Sequence, residues 1–234
     1  MIQISHLTKK YNDNIAVDDL SLEIPKGSMF GFLGSNGAGK TTTLKMLMGL
    51  LQPTSGSAFI DGTEVASNPT AIKAKVGYLP DEVFLYDYLT GRQFLEFVAD
   101  VYNIDSSLRK ERIEDLLKSF GLENSANDYT ANYSFGMKKK LALASIVVHN
   151  PTLLILDEPF NGLDPQATRD FKNMMKNMSE KGTTIIFSSH VLEVVEKLVT
   201  HVAIINKGKL KICDNINNIK SKYHSLEKAF FNFT

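Results

Sequence analysis

The chain has 234 residues, 43% of them hydrophobic, with 26 basic and 26 acidic side chains that give a formal net charge of zero. That length can bury a substantial core, as one domain or as a core with a smaller lobe. The balanced charge disfavours nucleic-acid binding, which usually requires a basic excess, and the one cysteine excludes an internal disulfide.

The first quarter of the chain combines strands with a phosphate-binding pattern. Apolar and polar residues alternate around positions 2–4 and 20–24, which predicts half-buried strands, and the Asp61-Gly62 pair after residues 58–60 predicts a hairpin. Between them, residues 34–41 read Gly-Ser-Asn-Gly-Ala-Gly-Lys-Thr and match the phosphate-loop pattern without a gap. An apolar strand at 29–33 precedes this loop, and helical spacing follows it. A polyphosphate is therefore expected at a helix N-terminus.

The middle of the chain, residues 82–149, is predicted to be an inserted helical lobe. A capping box at Thr90 to Gln93 is followed by apolar residues at i, i+3, i+4 and i+7. A second helical pattern at 113–120 ends at Gly121, a typical C-terminal cap. The basic run at 138–140 is interpreted as a solvated helix face.

The third part returns to an α/β pattern. Continuous apolar runs at 153–156 and 183–187 predict parallel strands covered on both faces, and 202–205 predicts a third strand that turns into 210–213. Residues 215–234 are rich in Asn, Lys and Phe and give no clear signal, so we expect a short C-terminal tail. The predicted fold class is α/β, with a parallel-sheet core, an N-terminal antiparallel β subdomain and an inserted helical subdomain.

A pair of acidic residues, Asp157 and Glu158, follows the buried strand at 153–156. The carboxyl end of such a strand borders the crevice where open α/β sheets bind ligands. In phosphoryl transfer, Asp157 could hold Mg²⁺ and Glu158 could orient and deprotonate the attacking water.

These motifs, in this order, resemble those of the ATP-binding-cassette ATPases, the nucleotide-binding subunits of ABC transporters, over roughly residues 2–214. Residues 34–42 resemble the Walker A loop, and Asp157 and Glu158 close the Walker B strand. Asn-Gly-Leu-Asp at 161–164 is similar to the D-loop, and Tyr-Ser-Phe-Gly-Met at 133–137 occupies the place of the LSGGQ signature. His190 looks like the switch histidine, and Tyr11 stands where the family stacks an aromatic ring on adenine.

The resemblance implies ATP and Mg²⁺ as cofactors and assigns roles to single residues. The catalytic residues are Glu158, His190 and Lys40. The ATP-binding residues are Tyr11, Gly34, Ser35, Asn36, Gly37, Ala38, Gly39, Lys40, Thr41 and Thr42. Ser134, Gly136 and Asp164 would contact the ATP of a partner subunit, and Thr41, Asp157 and Asp81 would ligate the metal.

Two departures from the family pattern concern the signature and the Q-loop. Phe135 replaces the first signature glycine and Met137 replaces the glutamine, which predicts a weaker grip on the partner's ATP. Asp81 stands in place of the Q-loop glutamine and brings negative charge near the phosphates. Both local forms resemble those of exporter ATPases of the ABC-2 type.

The implied function is ATP hydrolysis that drives an exporter through a separate, integral membrane partner. The ATPase subunits would form a homodimer or a heterodimer around two ATP molecules. No apolar run approaches the roughly 18 residues that span a bilayer. We therefore expect a cytoplasmic subunit, peripheral on the inner face of the cell membrane. The apolar stretch near 81–88 could dock the membrane partner or pack the helical lobe onto the core.

Two other classes of function remain open from the sequence. A soluble cassette ATPase that acts on DNA or ribosomes usually carries a coiled-coil insertion or a second cassette, and this chain has neither. A regulatory module that binds ATP without turnover is only weakly favoured by the altered signature and is disfavoured by the intact Glu158.

Overall fold

The structure is a computed structural model that describes residues 1–234. The ten strands are β1 (Ile2–Tyr11), β2 (Asn14–Ile24), β3 (Met29–Leu33), β4 (Ser55–Ile60), β5 (Thr63–Glu64), β6 (Val76–Leu79), β7 (Leu153–Leu156), β8 (Thr184–Ser189), β9 (His201–Asn206) and β10 (Lys209–Asn215). The nine α-helices are α1 (Lys40–Leu47), α2 (Pro69–Lys73), α3 (Gly91–Val101), α4 (Ser106–Ser119), α5 (Phe135–Val147), α6 (Pro165–Glu180), α7 (Leu192–Leu198), α8 (Ile216–Tyr223) and α9 (Leu226–Phe233). None of these helices is both long enough and apolar enough to cross a membrane.

The central layer is a six-stranded sheet in the order β10-β9-β3-β8-β7-β6. Its five inner and edge strands from β9 to β6 pair in parallel, and only β10 runs antiparallel, to β9. Every residue of β3, β7 and β8 is buried. The runs are continuously apolar because both faces of this sheet are covered. Parallel pairing brings the carboxyl ends of β3, β7 and β8 to one edge.

The N-terminal strands form a second, antiparallel sheet in the order β2-β1-β4-β5. The predicted hairpin joins β4 to β5 through Asp61 and Gly62, which have φ values of +49° and +75°. Two positive φ values in a two-residue turn match the twist of the flanking strands. A buried cluster that includes Leu20, Phe32 and Leu44 fills the space between this sheet, α1 and the central sheet.

Helices α3, α4 and α5 lie within the predicted insertion. The capping box is present: the Thr90 hydroxyl accepts the Gln93 N–H, and the Gln93 side chain accepts the Thr90 N–H. Gly121, at φ +64°, follows the end of α4 as predicted. Helix α5 packs so closely on β6 that a Cβ on Gly77 would lie 2.3 Å from the Ile146 carbonyl oxygen. The boundaries of the lobe at 82 and 149 stay a prediction.

The last twenty residues, predicted as a short C-terminal tail without a clear pattern, form helices α8 and α9. Ile216, Ile219, Leu226 and Ala229 are buried in the larger core cluster. The side-chain amide of Asn206 on β9 donates to the Phe233 carbonyl at 2.8 Å and so holds the end of α9 against the sheet. The apolar spacing across 216–229 is that of two short amphipathic helices, and the polar composition of the segment conceals it.

Candidate active site

The phosphate loop connects buried strand β3 to α1, in the predicted strand–loop–helix order. Gly39 immediately precedes the helix with φ +104°, and a Cβ there would lie 2.4 Å from the Ala16 carbonyl oxygen. Only glycine satisfies both the positive φ and that close approach. The loop therefore curls tightly over the N-terminus of α1, whose free N–H groups favour an anion.

An open cleft of about 520 Å³ lies over this loop. Its lining comes from distant parts of the chain: Tyr11, Asn14, Ala16, the loop residues 36–42, Asp81, Asp157 and Glu158. The fold thus gathers most of the predicted adenine, phosphate, metal and catalytic residues into one cavity, whereas Gly34, Ser35 and His190 are not among its lining residues. Lys40 is the one basic residue in the lining.

Lys40, the first residue of α1, is only 7% exposed. Its Nζ donates to the carbonyl oxygens of Gly34 at 2.8 Å and Ser35 at 3.3 Å. The same Nζ lies 3.8 Å from Oε1 of Glu158. The ammonium group is therefore fixed between the phosphate loop and the carboxylate at the end of β7.

Asp157 is buried directly after β7, and its two carboxylate oxygens differ in their partners. Oδ1 accepts a 2.5 Å hydrogen bond from the Ser188 hydroxyl, whereas Oδ2 is buried without any partner. Burial raises the pKa of nearby Tyr78 to about 12, and the charge of Asp157 adds to that rise. An unpartnered buried oxygen is costly, so Oδ2 is the natural attachment point for a ligand of the site.

Glu158 has φ +45°, a left-handed backbone conformation that is strained for a glutamate. Its N–H donates to the Ser188 hydroxyl at 2.9 Å, and only 8% of the residue is exposed. The Ser188 hydroxyl therefore holds both acidic residues, because it accepts from the Glu158 N–H and donates to the Asp157 carboxylate. Sequence reasoning did not assign Ser188 a role. Its role depends on the pairing of Leu156 with Phe187, which brings the next residues of both strands together and which the sequence alone does not show.

His190 follows β8, and its Nδ1 lies 3.1 Å from Oε2 of Glu158. In the tautomer in which Nδ1 donates to this carboxylate, Nε2 remains available to another group. The imidazole is about half exposed, while the glutamate is buried. The histidine thus stands at the solvent side of the carboxylate.

Tyr11 ends β1 at the rim of the cleft and is 45% exposed. The Nζ of Lys9 lies 5.2 Å from the centre of the Tyr11 ring, a cation–π distance. Lys9 therefore contacts the Tyr11 ring, and much of the ring surface remains exposed and available for stacking.

Ser134, Gly136 and Asp164 do not line this cleft. They lie together where α5 and α6 begin: Ser134 caps α5, and Asp164 caps α6 through a 2.7 Å bond from the Ala167 N–H. Lys140 joins the two helix starts by reaching Asp164 at 3.1 Å. The Ala167 N–H and then the Lys140 ammonium lower the pKa of Asp164.

Phe135, in the place of the first signature glycine, lies against the D-loop. A Cβ on Gly162 would come within 1.9 Å of the Phe135 ring, so the ring occupies the space that this glycine leaves open. The ring is still 67% exposed. The second group of predicted residues therefore forms a surface of its own, with an aromatic ring beside it.

The interpretation of residues 138–140 as a solvated face is wrong for Lys139, which is 1% exposed. Its side chain lies between the loops after β6 and β7, where its Nζ donates to the carbonyl oxygens of Asp81 and Glu158. Burial lowers the pKa of its ammonium group, and the carboxylates of Asp81, Asp157 and Glu158 oppose that shift. The sequence does not single out Lys139, because Leu141, Ala142, Leu143 and Ala144 are all buried and each lysine of the run precedes two of them by three and four positions.

Comparison with known proteins adds independent support. A family model described as ABC transporter matches residues 17–161. The Bacitracin transport ATP-binding protein BcrA of Bacillus licheniformis is 39% identical over 211 residues, which make up 90% of this chain and 68% of that protein. A solved structure described as the ATP binding subunit of an ABC transporter matches with a TM-score of 0.93 at 29% identity, covering 99% of this chain and 98% of that one.

A second solved structure, the dimeric bacterial ABC transporter cassette MJ0796, matches with a TM-score of 0.85. It covers 92% of this chain and 99% of its own, and at 23% identity the likeness supports the fold alone.

The fold and the cleft define a P-loop nucleotide-binding protein, with a phosphate loop between β3 and α1 and acidic residues at the end of a neighbouring strand. The predicted α/β fold class is confirmed. The chain belongs to the ABC transporter family and is an ATP-binding, ATP-hydrolysing subunit of it, as the resemblance implied. The roles of single site residues stay predictions.

Proposed function

We propose that this subunit closes with a second ATPase subunit around two ATP molecules and thereby drives an exporter through a membrane-spanning partner. The observation that carries this proposal is the division of the predicted residues into two surfaces. Lys40, Asp157 and Glu158 meet at one cleft, while Ser134 and Asp164 lie on another surface of the chain. A head-to-tail dimer makes both surfaces useful, because each chain's second surface completes the partner's cleft.

Within one site the residues have separate tasks. The backbone N–H groups of residues 34–42 and the Lys40 ammonium bind the phosphates. Glu158 orients the attacking water and accepts its proton, and His190 contacts the γ-phosphate from Nε2. Positioning dominates phosphoryl transfer, so the fixing of Glu158 by Ser188 and His190 serves the reaction directly. From the other chain, Ser134, Gly136 and Asp164 contact the same nucleotide.

The residues present fit a Mg²⁺ ion held mainly by nucleotide oxygens. The chain has no group of three or more His, Cys, Asp or Glu that could hold a metal ion alone. Magnesium bound with nucleotides usually takes only one or two carboxylates, with phosphates and water as its other ligands. The unpartnered Oδ2 of Asp157 suits this arrangement, and Thr41 and Asp81 line the same cleft. The ion would neutralise charge on the phosphates when bound.

Replacing Asp81 with glutamine tests its role toward the metal. If Asp81 ligates Mg²⁺, the Asp81→Gln variant requires about tenfold more Mg²⁺ for half-maximal ATP hydrolysis, because one charged ligand is lost. A magnesium titration at fixed ATP measures this. Glu82→Gln, at the next exposed acidic position, is the control. An unaltered titration for Asp81→Gln would remove this residue from the metal site.

The membrane partner is proposed to dock on an aromatic surface formed by Phe84, Tyr86, Tyr88 and Phe97. Their exposed fractions are 83%, 60%, 92% and 43%. Tyr86 contacts Phe97 edge-on, with ring centroids 5.4 Å apart. In the same stretch, Val83, Leu85 and Leu89 pack against the core. Aliphatic side chains therefore point inward, as the packing expectation requires, and the exposed aromatic side chains are available to a partner. Clustered exposed aromatic residues typify interaction sites.

This proposal is tested by capturing the tagged chain from native membranes in mild detergent. We expect an integral membrane protein to copurify, and the Tyr88→Ser variant to lose most of it, since truncating one interface hot spot removes about 2 kcal/mol or more of binding. Phe231→Ser, at an aromatic residue of α9 with 68% exposure, is the matched control. Equal recovery with Tyr88→Ser and the unchanged chain would contradict docking at this surface.

The proposal also includes the direction of transport and the location of the subunit. The relative in Bacillus licheniformis is named for bacitracin transport, and we propose export as the direction here. The subunit would lie in the cytoplasm, peripheral on the inner face of the cell membrane. ATP is then available to both clefts.

A further inference from the structure

Lys139 connects the start of α5, which follows the signature segment, with the chain's own ATP cleft. It lies five residues after Ser134 on α5 and is almost completely buried. Its Nζ is 3.4 Å from the carbonyl oxygens of both Asp81 and Glu158. These two contacts join the loop after β6 to the loop after β7.

The local charges explain why an ammonium group is kept in this buried place. The cleft lining contains three carboxylates, Asp81, Asp157 and Glu158, but only Lys40 carries a positive charge. Burial lowers the pKa of the Lys139 ammonium group, and the charges of Asp81, Asp157 and Glu158 oppose that shift. The Nζ itself bonds to main-chain oxygens, so these carboxylates act on it at longer range.

We propose that Lys139 is a positioning residue of the ATP site, which balances the charge of Asp81 and holds the main chain of Asp81 and Glu158 together. The inference rests on the proposed function, because it assigns Asp81 and Glu158 to that site. It also accounts for an aspartate where the resemblance leads one to expect glutamine. On this proposal, the Lys139 ammonium group on α5 balances the extra negative charge of Asp81 beside the phosphates.

A purely structural role for Lys139 predicts something different. If the side chain only fills space, its loss affects folding, and the charge at position 81 does not alter the outcome. If Lys139 balances the charge of Asp81, removing both charges restores the ADP affinity that removing the Lys139 charge alone lowers. A double-mutant cycle separates these two cases.

The test measures binding of ADP in the presence of EDTA, by calorimetry, for four chains: unchanged, Lys139→Met, Asp81→Asn and the double variant. Methionine has a similar length and suits a buried position. With no metal present, nucleotide phosphates face the carboxylates directly. Loss of the Lys139 charge should weaken ADP binding about tenfold, a size expected for unit charges several ångströms apart at a partly buried site. The double variant should return to within about threefold of the unchanged chain.

Lys138→Met is the matched control, since Lys138 is the adjacent lysine, is partly exposed and pairs instead with Asp87. Its ADP affinity should not change. Thermal unfolding of each variant verifies folding, and Lys139→Gln replaces Lys139→Met if the latter does not fold. Equal affinity in Lys139→Met and the unchanged chain, or a double variant as weak as Lys139→Met, overturns the inference. Failure of the unchanged chain to bind ADP would instead refute the proposed ATP site.

Discussion

The Glu158→Gln variant is expected to bind ATP normally, hydrolyse it about 10²–10⁴-fold more slowly, and accumulate as an ATP-bound dimer. Glutamine keeps the size of the side chain but cannot accept the proton of the attacking water. Hydrolysis is the step that opens the proposed sandwich, so blocking it leaves the closed state populated. Size-exclusion chromatography at saturating ATP and Mg²⁺, together with phosphate release, measures both effects.

The environment of Glu158 makes this experiment interpretable. Its main chain is held by Ser188, so the substitution leaves the loop after β7 tethered. Glu180→Gln, at the exposed end of α6, is the control and should behave as the unchanged chain. A Glu158→Gln chain that stays monomeric under these conditions would contradict the dimer model, and undiminished turnover would contradict the role of Glu158.

The Lys40→Ala variant is expected to lose about 1.5–3 kcal/mol of nucleotide binding, a fall in affinity of roughly tenfold to more than a hundredfold. The loss arises because a buried, charged donor to the phosphates disappears and the lining keeps its three carboxylates. Calorimetric titration with ATP and Mg²⁺ measures the change.

Lys45→Ala is the control for this variant, because Lys45 lies on the same helix but is exposed. It should bind ATP as the unchanged chain does. An unchanged affinity in Lys40→Ala would count against residues 34–41 as the phosphate loop. Thermal unfolding distinguishes a binding defect from misfolding, since Lys40 also donates to the Gly34 carbonyl.

The features that could be predicted from the sequence are those that depend on a few residues close together in the chain. The phosphate loop needs glycines and a lysine at fixed spacing, and Gly39 has the positive φ that this spacing anticipates. The Asp61-Gly62 turn and the Thr90 capping box are equally local. Buried parallel strands are also visible locally, as continuous apolar runs.

The features that the sequence left unassigned depend on contacts between distant elements. Ser188 acquires its role only because β8 pairs with β7. This pairing brings Ser188 to Asp157, which is 31 residues earlier in the chain. Lys139 belongs to a basic run, and its inward direction is decided by the packing of α5 against β6. Helices α8 and α9 are stabilised by burial against the core rather than by strong intrinsic propensity.

The phosphate loop is fixed by the two sheets that meet around it. Gly39 lies against the Ala16 carbonyl of β2, and the Ala38 carbonyl accepts the N–H of Gly208 from the turn between β9 and β10. That same turn accepts the N–H of Asp18 through the Gly208 carbonyl at 2.9 Å. The loop conformation is therefore set when the chain folds. An incoming triphosphate meets a loop whose backbone is already ordered, so little of its binding free energy is diverted to ordering it.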